Sequence, residues 1–380
     1  MPFASLWEGA VSYVALKGMV RMKRGSSVTR REFAAFAAGF LSLALVGCGG
    51  SPAGTGSAAR AGSGGSGRDA GGTAVRVASL KGPTSIGLVP FMDKVSQEAG
   101  DAGGSADDLE NTYAFEISAA ADEIVPKIIK GDIDIALLPA NVASVLYSKT
   151  GGGVAVLDIN TLGVLHVVTG DASVAAFDDL AGRTVYLTGK GTTPEYVMNY
   201  LLAAVGIADE VALEFKSEAT EVVSALVADP AAVGVLPEPF KTAALVQNEA
   251  LSSPISLADV WDEQAGDDGS ELVTGVTCVR CDFAEAHPGA VSEFVAEHRA
   301  SARAVASDPA AWAQGVVDAG IVAKAPIAQK AIPGCNIVCI TGDEMRTALS
   351  GYLDVLYSAD PSSVGGKLPD EDFYLIDVAG

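Results

Sequence analysis

The sequence predicts an α/β protein of two lobes, and three observations carry that expectation. Short aliphatic runs alternate with longer segments of helical period, the pattern of βαβ units around mostly parallel sheets flanked by helices. The pattern occurs in two blocks, the second beginning after Phe177-Asp178-Asp179-Leu180-Ala181-Gly182-Arg183. Aromatic residues make up 6% of the 380 positions while glycine occurs 43 times, so the interior must be filled by Val, Ile, Leu and Ala, as in covered parallel sheets. A chain of this length can bury two separate cores.

Taken in order, Val75 to Leu80 reads as a strand. Lys81-Gly82-Pro83-Thr84-Ser85 is then a turn with helix-capping residues, and a helix follows from Ile86 to Val95. An acidic, glycine-containing loop runs from Gly100 to Glu110. Phe115 to Ser118 is a strand, Asp122 to Lys130 a helix, and Ile133 to Leu138 a strand that stops at Pro139. Asn141 is expected to cap the next helix, to Ser148. Val154 to Ile159 and Leu162 to Val168 read as two strands joined at Asn160-Thr161. In the second block, Thr184 to Leu187, Val211 to Phe215 and Val233 to Leu236 are strands; helices run from Thr192 or Thr193 to Val205 and from Glu218 to Ala228. Three further helices are expected near 290–304, 309–319 and 344–357.

Charge excludes one large class of function. Acidic residues number 47 against 25 basic ones, and the formal balance of -22 offers no general positive field for nucleic acid or an anionic bilayer.

The N-terminal 47 residues resemble a twin-arginine lipoprotein signal. Thr29-Arg30-Arg31-Glu32-Phe33 precedes an uncharged stretch from Phe33 to Val46, and Leu45-Val46-Gly47-Cys48 resembles a lipobox. Fourteen residues at about 1.5 Å each reach only about 21 Å, too short for a permanent span of roughly 30 Å. The resemblance implies that Cys48 is acylated and becomes the new N-terminus; an ordinary cleaved signal is the alternative. Removing residues 1–47 takes away six basic and two acidic residues and leaves -26, so attachment to the membrane must come from lipid. Residues 48–72, with ten glycines between Gly49 and Gly72, read as a flexible linker.

In the globular part, five segments together resemble the solute-binding proteins of ABC importers, of the nitrate, sulfonate and taurine type. They are Asp132-Ile133-Asp134-Ile135-Ala136, Asp178-Asp179-Leu180-Ala181-Gly182-Arg183-Thr184-Val185, Gly191-Thr192-Thr193-Pro194-Glu195-Tyr196, Val235-Leu236-Pro237-Glu238-Pro239-Phe240 and Asp282-Phe283-Ala284-Glu285-Ala286-His287-Pro288. Glu195 stands where many relatives have His, and Pro237 lacks their aromatic wall. The resemblance implies a two-lobed, type II periplasmic binding protein-like fold, with residues 73–170 and 276–380 in one lobe and 171–275 in the other. It also implies a small-molecule solute, ABC permease and ATPase partners, a monomer outside the cytoplasm held by a lipid anchor, and no enzymatic activity or cofactor.

In open α/β lobes a ligand lies where strand-end loops converge. Helix starts there offer N–H groups and partial positive charge, enough to hold a small anion on an acidic chain. Three turns follow a strand and open a helix: Thr84-Ser85, Asn141, and Gly191-Thr192-Thr193. Each is also what ordinary N-capping selects. Asn160, Thr161, Lys216 and Glu238 complete the expected ligand-binding set. Thr192 and Glu195 form a T-x-x-E capping box, a structural role for Glu195; facing the cleft instead, it would favour an amine.

Other motifs fall short. Gly189-Lys190-Gly191-Thr192-Thr193-Pro194 lacks the third glycine of a dinucleotide fingerprint. No G-x-S-x-G occurs, and His166, His287 and His298 show no metal-ligand spacing. His298 falls in register with Val291, Phe294 and Val295, as a core-edge histidine does. Cys278, Cys281, Cys335 and Cys339 leave open cross-segment disulfides, free buried thiols or a metal. The rival functions are an enzyme on the same scaffold, of dehydratase or pyrimidine-synthase type, and a sensor subunit of a membrane receptor.

Overall fold

The computed structural model describes residues 72–100, 109–265 and 270–377. The export signal, Cys48 and all but the last residue of the linker lie outside the described residues. The strands are β1 (Ala74–Leu80), β2 (Thr112–Ser118), β3 (Ile135–Pro139), β4 (Val154–Thr161), β5 (Leu165–Thr169), β6 (Thr184–Leu187), β7 (Ala212–Phe215), β8 (Val233–Pro237), β9 (Ser252–Ser256), β10 (Gly275–Arg280) and β11 (Ile337–Ile340). They form two sheets, ordered β11-β4-β10-β3-β1-β2 and β7-β6-β8-β5-β9, each flanked by helices.

Within each sheet most strands share one direction, as expected, and the exceptions are β10 and β11 in the first sheet and β5 in the second. β1 pairs in parallel with β2 and β3, and β6 with β7 and β8. β5, β10 and β11 run antiparallel to the strands beside them. For β5 and β10 the cause is topological. A strand whose chain arrives from the other sheet starts where the others end, so it has to run the opposite way.

Asn160 and Thr161 are not a turn. They continue β4, which is buried along its whole length, and the crossing falls at residues 162–164. The strand after it pairs with β8 and β9, so the chain has joined the second sheet by Leu165 and not near 170. Gly163 suits this passage because a Cβ there would lie 2.8 Å from the Cβ of Ala258. The chain returns to the first sheet at Gly275.

The expected helix from Ile86 to Val95 is two helices, Pro83–Ile86 and Val89–Gly100. Strands β9 and β11 and the helices Phe240–Gln247, Leu257–Ala265 and Ala325–Ala331 are additions to the expected elements.

One hydrophobic core reaches from the first sheet (Ala136, Leu138, Val156) to the second (Val167, Val185, Val235). The helix Gly342–Ala359 joins them by burying Met345, Leu349, Tyr352 and Leu353 in that core. Its Tyr352 ring lies 5.4 Å from Trp261, which in turn lies 4.9 Å from Tyr200. Burying each such side chain contributes about 1.5–3 kcal/mol, so this helix fastens the two lobes together.

The four cysteines of the described residues are free, so the cross-segment disulfides do not form. Cys278 and Cys335 are buried in different core clusters, and burial pushes both thiols up.

Candidate functional site

A cleft of about 520 Å³ opens between the two sheets. Its walls are the carboxyl ends of parallel strands and the residues just beyond them. Leu80, Ala119 and Pro139 stand at the ends of β1, β2 and β3; Thr188, Lys216 and Pro237 stand at the ends of β6, β7 and β8. Val164 and Thr274, in the two connections between sheets, close the remaining side. Two sheets facing each other by the same strand ends is the geometry that gathers ligand loops.

Among the helices of eight or more residues that start at the cleft are Ala121–Lys130, Thr193–Val205 and Ala219–Ala228. All three starts are built alike. The third helical residue is a glutamate that accepts a hydrogen bond from the N–H two residues before the helix: Glu123 from Ala119 (3.3 Å), Glu195 from Gly191, and Glu221 from Ser217 (2.8 Å). These bonds pin each loop without engaging the N–H groups of the first two helical residues, of which the second helix has only that of Thr193 because Pro194 carries none; those groups point along the axis toward the cleft. The Thr188–Pro194 loop needs Gly189 and Gly191 at φ +79° and +75°, a region side-chain-bearing residues avoid.

Charge on the lining is mixed. Lys81, Lys190 and Lys216 face Asp122 and Glu218. Lys216 Nζ pairs with Glu214 at 2.5 Å, which raises its pKa, and sits 4.6 Å from the Tyr186 ring centre. Lys190 Nζ lies 5.8 Å from the ring centre of Phe215. Both ammonium groups are thereby steered over aromatic faces at the mouth of the second lobe.

Of the expected ligand-binding residues, Thr84, Thr192, Thr193 and Lys216 line the cleft. Thr192 precedes its helix in extended conformation, but its hydroxyl donates to Gly189 O at 2.7 Å instead of capping. Glu195 turns to its own loop and does not line the cleft. Ser85 is fully buried and donates to Leu80 O at 2.5 Å. Asn141 sits in the first turn of the helix Ala140–Thr150, after Pro139, and caps nothing. Its Nδ2 donates to Ser363 O (3.2 Å) and across to Gly191 O (3.4 Å), while Thr193 Oγ1 donates to its Oδ1 (3.5 Å). It is a polar tie between lobes.

Asn160 and Thr161 are buried in β4. Thr161 Oγ1 donates to Asn160 Oδ1 (2.9 Å), and Asn160 Nδ2 donates to Thr277 Oγ1 (3.2 Å). Gly191 is exposed but does not line the cleft. Glu238, 2% exposed, accepts from Thr242 N (3.2 Å) and Thr242 Oγ1 (2.9 Å) and pairs with Lys241 (2.8 Å). It caps the helix Phe240–Gln247 and stays out of the cleft. Lys81, Lys190, Ser217, Glu218 and Thr220 are lining residues that the motif reading passed over; each lies within five residues of a strand end, the signal that would have found them.

No protein-family model matches the sequence, and no curated protein matches it at a significant level. Solved structures do resemble it. An ABC transporter protein of Parabacteroides distasonis superposes with a TM-score of 0.64 at 24% identity, over 80% of this chain and 98% of that one. The alkanesulfonate-binding protein of Xanthomonas axonopodis pv. citri, bound to MOPS, gives 0.58 at 13% identity, over 82% and 98%. The periplasmic aliphatic sulphonate-binding protein of Escherichia coli gives 0.60 at 13%, over 78% and 92%. At these identities the likeness is one of fold: the chain has the two-lobed α/β fold of ABC-importer binding proteins.

Proposed function

We propose that this chain is the extracytoplasmic solute-binding lipoprotein of an ABC importer. It captures a small polar solute with an anionic head group between its lobes and hands it to permease and ATPase partners. One observation carries the reading: strand ends of both sheets converge on a cleft lined by Lys81, Lys190 and Lys216, with three helix starts aimed at it. These groups act at contact distance, whereas the net charge of -22 is spread over the chain and screened by salt beyond about 8–10 Å. A solute touching both walls favours the closed state, because it gains contacts there that the open state lacks. Anchoring through an acylated Cys48 keeps the receptor at the membrane as a monomer.

The test is a thermal-shift screen of the full-length chain against methanesulfonate, nitrate, methylamine, uracil and a short peptide; sulfonates come first because two structural neighbours bind them. A solute present at 100 times its dissociation constant stabilises the fold by about 2.7 kcal/mol. The reading expects the anions to stabilise and the amine to do nothing. Stabilisation by methylamine alone, or conversion of a bound compound to product by mass spectrometry, would overturn it in favour of an amine receptor or an enzyme.

A further inference from the structure

Outside the lining of the cleft, three chemically active side chains from distant parts of the sequence converge. Asp158 lies on β4, His298 on the helix Pro288–Ser307, and Cys339 on β11, the edge strand of the first sheet. One ligating atom from each lies within 4.8 Å of the other two. Asp158 and His298 are wholly buried, and Cys339 is partly exposed, which gives a small ion a route in from the sheet edge.

Two details set this cluster apart from an ordinary buried ion pair. His298 Nδ1 stands 3.3 Å from Asp158 Oδ2. Charge-assisted hydrogen bonds settle at about 2.7–2.9 Å. Two corners of a tetrahedron with metal–N and metal–O bonds of about 2.0–2.2 Å are about 3.3–3.5 Å apart, which is the spacing found here. Thr277 Oγ1 donates to Asp158 Oδ1 at 2.9 Å and is itself held by Asn160, so the carboxylate is oriented with Oδ2 toward the imidazole. Such outer hydrogen bonds position metal ligands.

We propose that Asp158, His298 and Cys339 bind a divalent cation of the zinc class, with a water molecule at the fourth corner. Thiolate and imidazole favour zinc over magnesium or calcium, which take oxygen ligands. Binding displaces the thiol proton and any proton on the ligating imidazole nitrogen, and it ties β4, β11 and the long helix together.

The test is a titration of the full-length, chelator-treated chain with Co²⁺, a coloured stand-in for zinc. One equivalent should produce the visible bands of tetrahedral cobalt together with a near-ultraviolet thiolate-to-cobalt charge-transfer band, and Zn²⁺ should displace it. Cys339→Ser should remove the charge-transfer band and weaken Zn²⁺ binding at least tenfold, while Cys281→Ser leaves both unchanged. His298→Asn removes a buried group and is informative only where circular dichroism shows it folded, so Cys339→Ser is the deciding variant. A folded wild-type chain that gives no charge-transfer band, or a band that survives Cys339→Ser, overturns the proposal.

Discussion

The two walls of the cleft are raised by the same device, the loop that follows a parallel strand, and they carry different chemistry. The wall from the second sheet presents Thr188, Lys190, Thr192, Thr193, Lys216, Ser217, Glu218 and Thr220, with Leu165, Pro194, Ala219, Pro237 and Phe240 as its apolar members. The wall from the first presents Leu80, Pro83, Ala119, Ala120, Ala121 and Pro139, with Lys81, Thr84 and Asp122 as its polar members. Hydrogen bonding to a charged head group therefore falls to the second lobe, and covering the solute and limiting its size fall to the first. The division is a claim about energies, and substitutions on either side test it.

The largest effect is expected on the second wall. Replacing Lys190 and Lys216 together with alanine removes two charged donors and should weaken binding of an anionic solute about 100-fold by titration calorimetry. A change smaller than threefold would show that the walls do not divide the work in this way. Next comes the tie between them. Asn141→Ala deletes the side chain that reaches Ser363 O and Gly191 O and should cost about 1–3 kcal/mol in urea unfolding. On the first wall, Ala120→Leu narrows the cover; it should lower affinity for a bulky sulfonate such as MOPS about tenfold while nitrate binding stays within twofold.

The smallest effect is a pH dependence of the second lobe. His166, on β5, has its pKa lowered to about 4, first by burial and then by the nearby Lys241 charge. Above the unfolded value of about 6.5 both states are neutral and the residue contributes nothing to the slope. As pH falls below that value, the unfolded chain takes up a proton that the folded chain refuses, so stability declines until about pH 4. Between pH 6.5 and 5.5 the loss should be about 1 kcal/mol in denaturant melts, and His166→Gln should flatten it.

How much of this was legible in the sequence depends on how far apart the partners lie. The alternation of strands and helices is local, and so is the position of Thr84, Thr192, Thr193 and Lys216 just after strand ends. Those residues line the cleft. Asn160 obeys a partner that no local reading reveals, Thr277, 117 residues later, whereas Glu238 is taken up at the start of its own helix by Thr242, four residues on. The antiparallel course of β5 and β10 was hidden for the same reason, since it follows from the chain passing between lobes and not from residue pattern. The cluster of Asp158, His298 and Cys339 is the extreme case. His298 and Asp158 are 140 residues apart, and no spacing rule joins them.

The most direct test of the account is amide hydrogen exchange on the full-length chain, with and without the compound that gives the largest thermal shift. The account predicts slowed exchange in two groups of loops at once: 188–194 and 216–220 from the second lobe, and 80–84 and 119–122 from the first. Protection confined to one group, or appearing away from both, would contradict a solute held between the lobes.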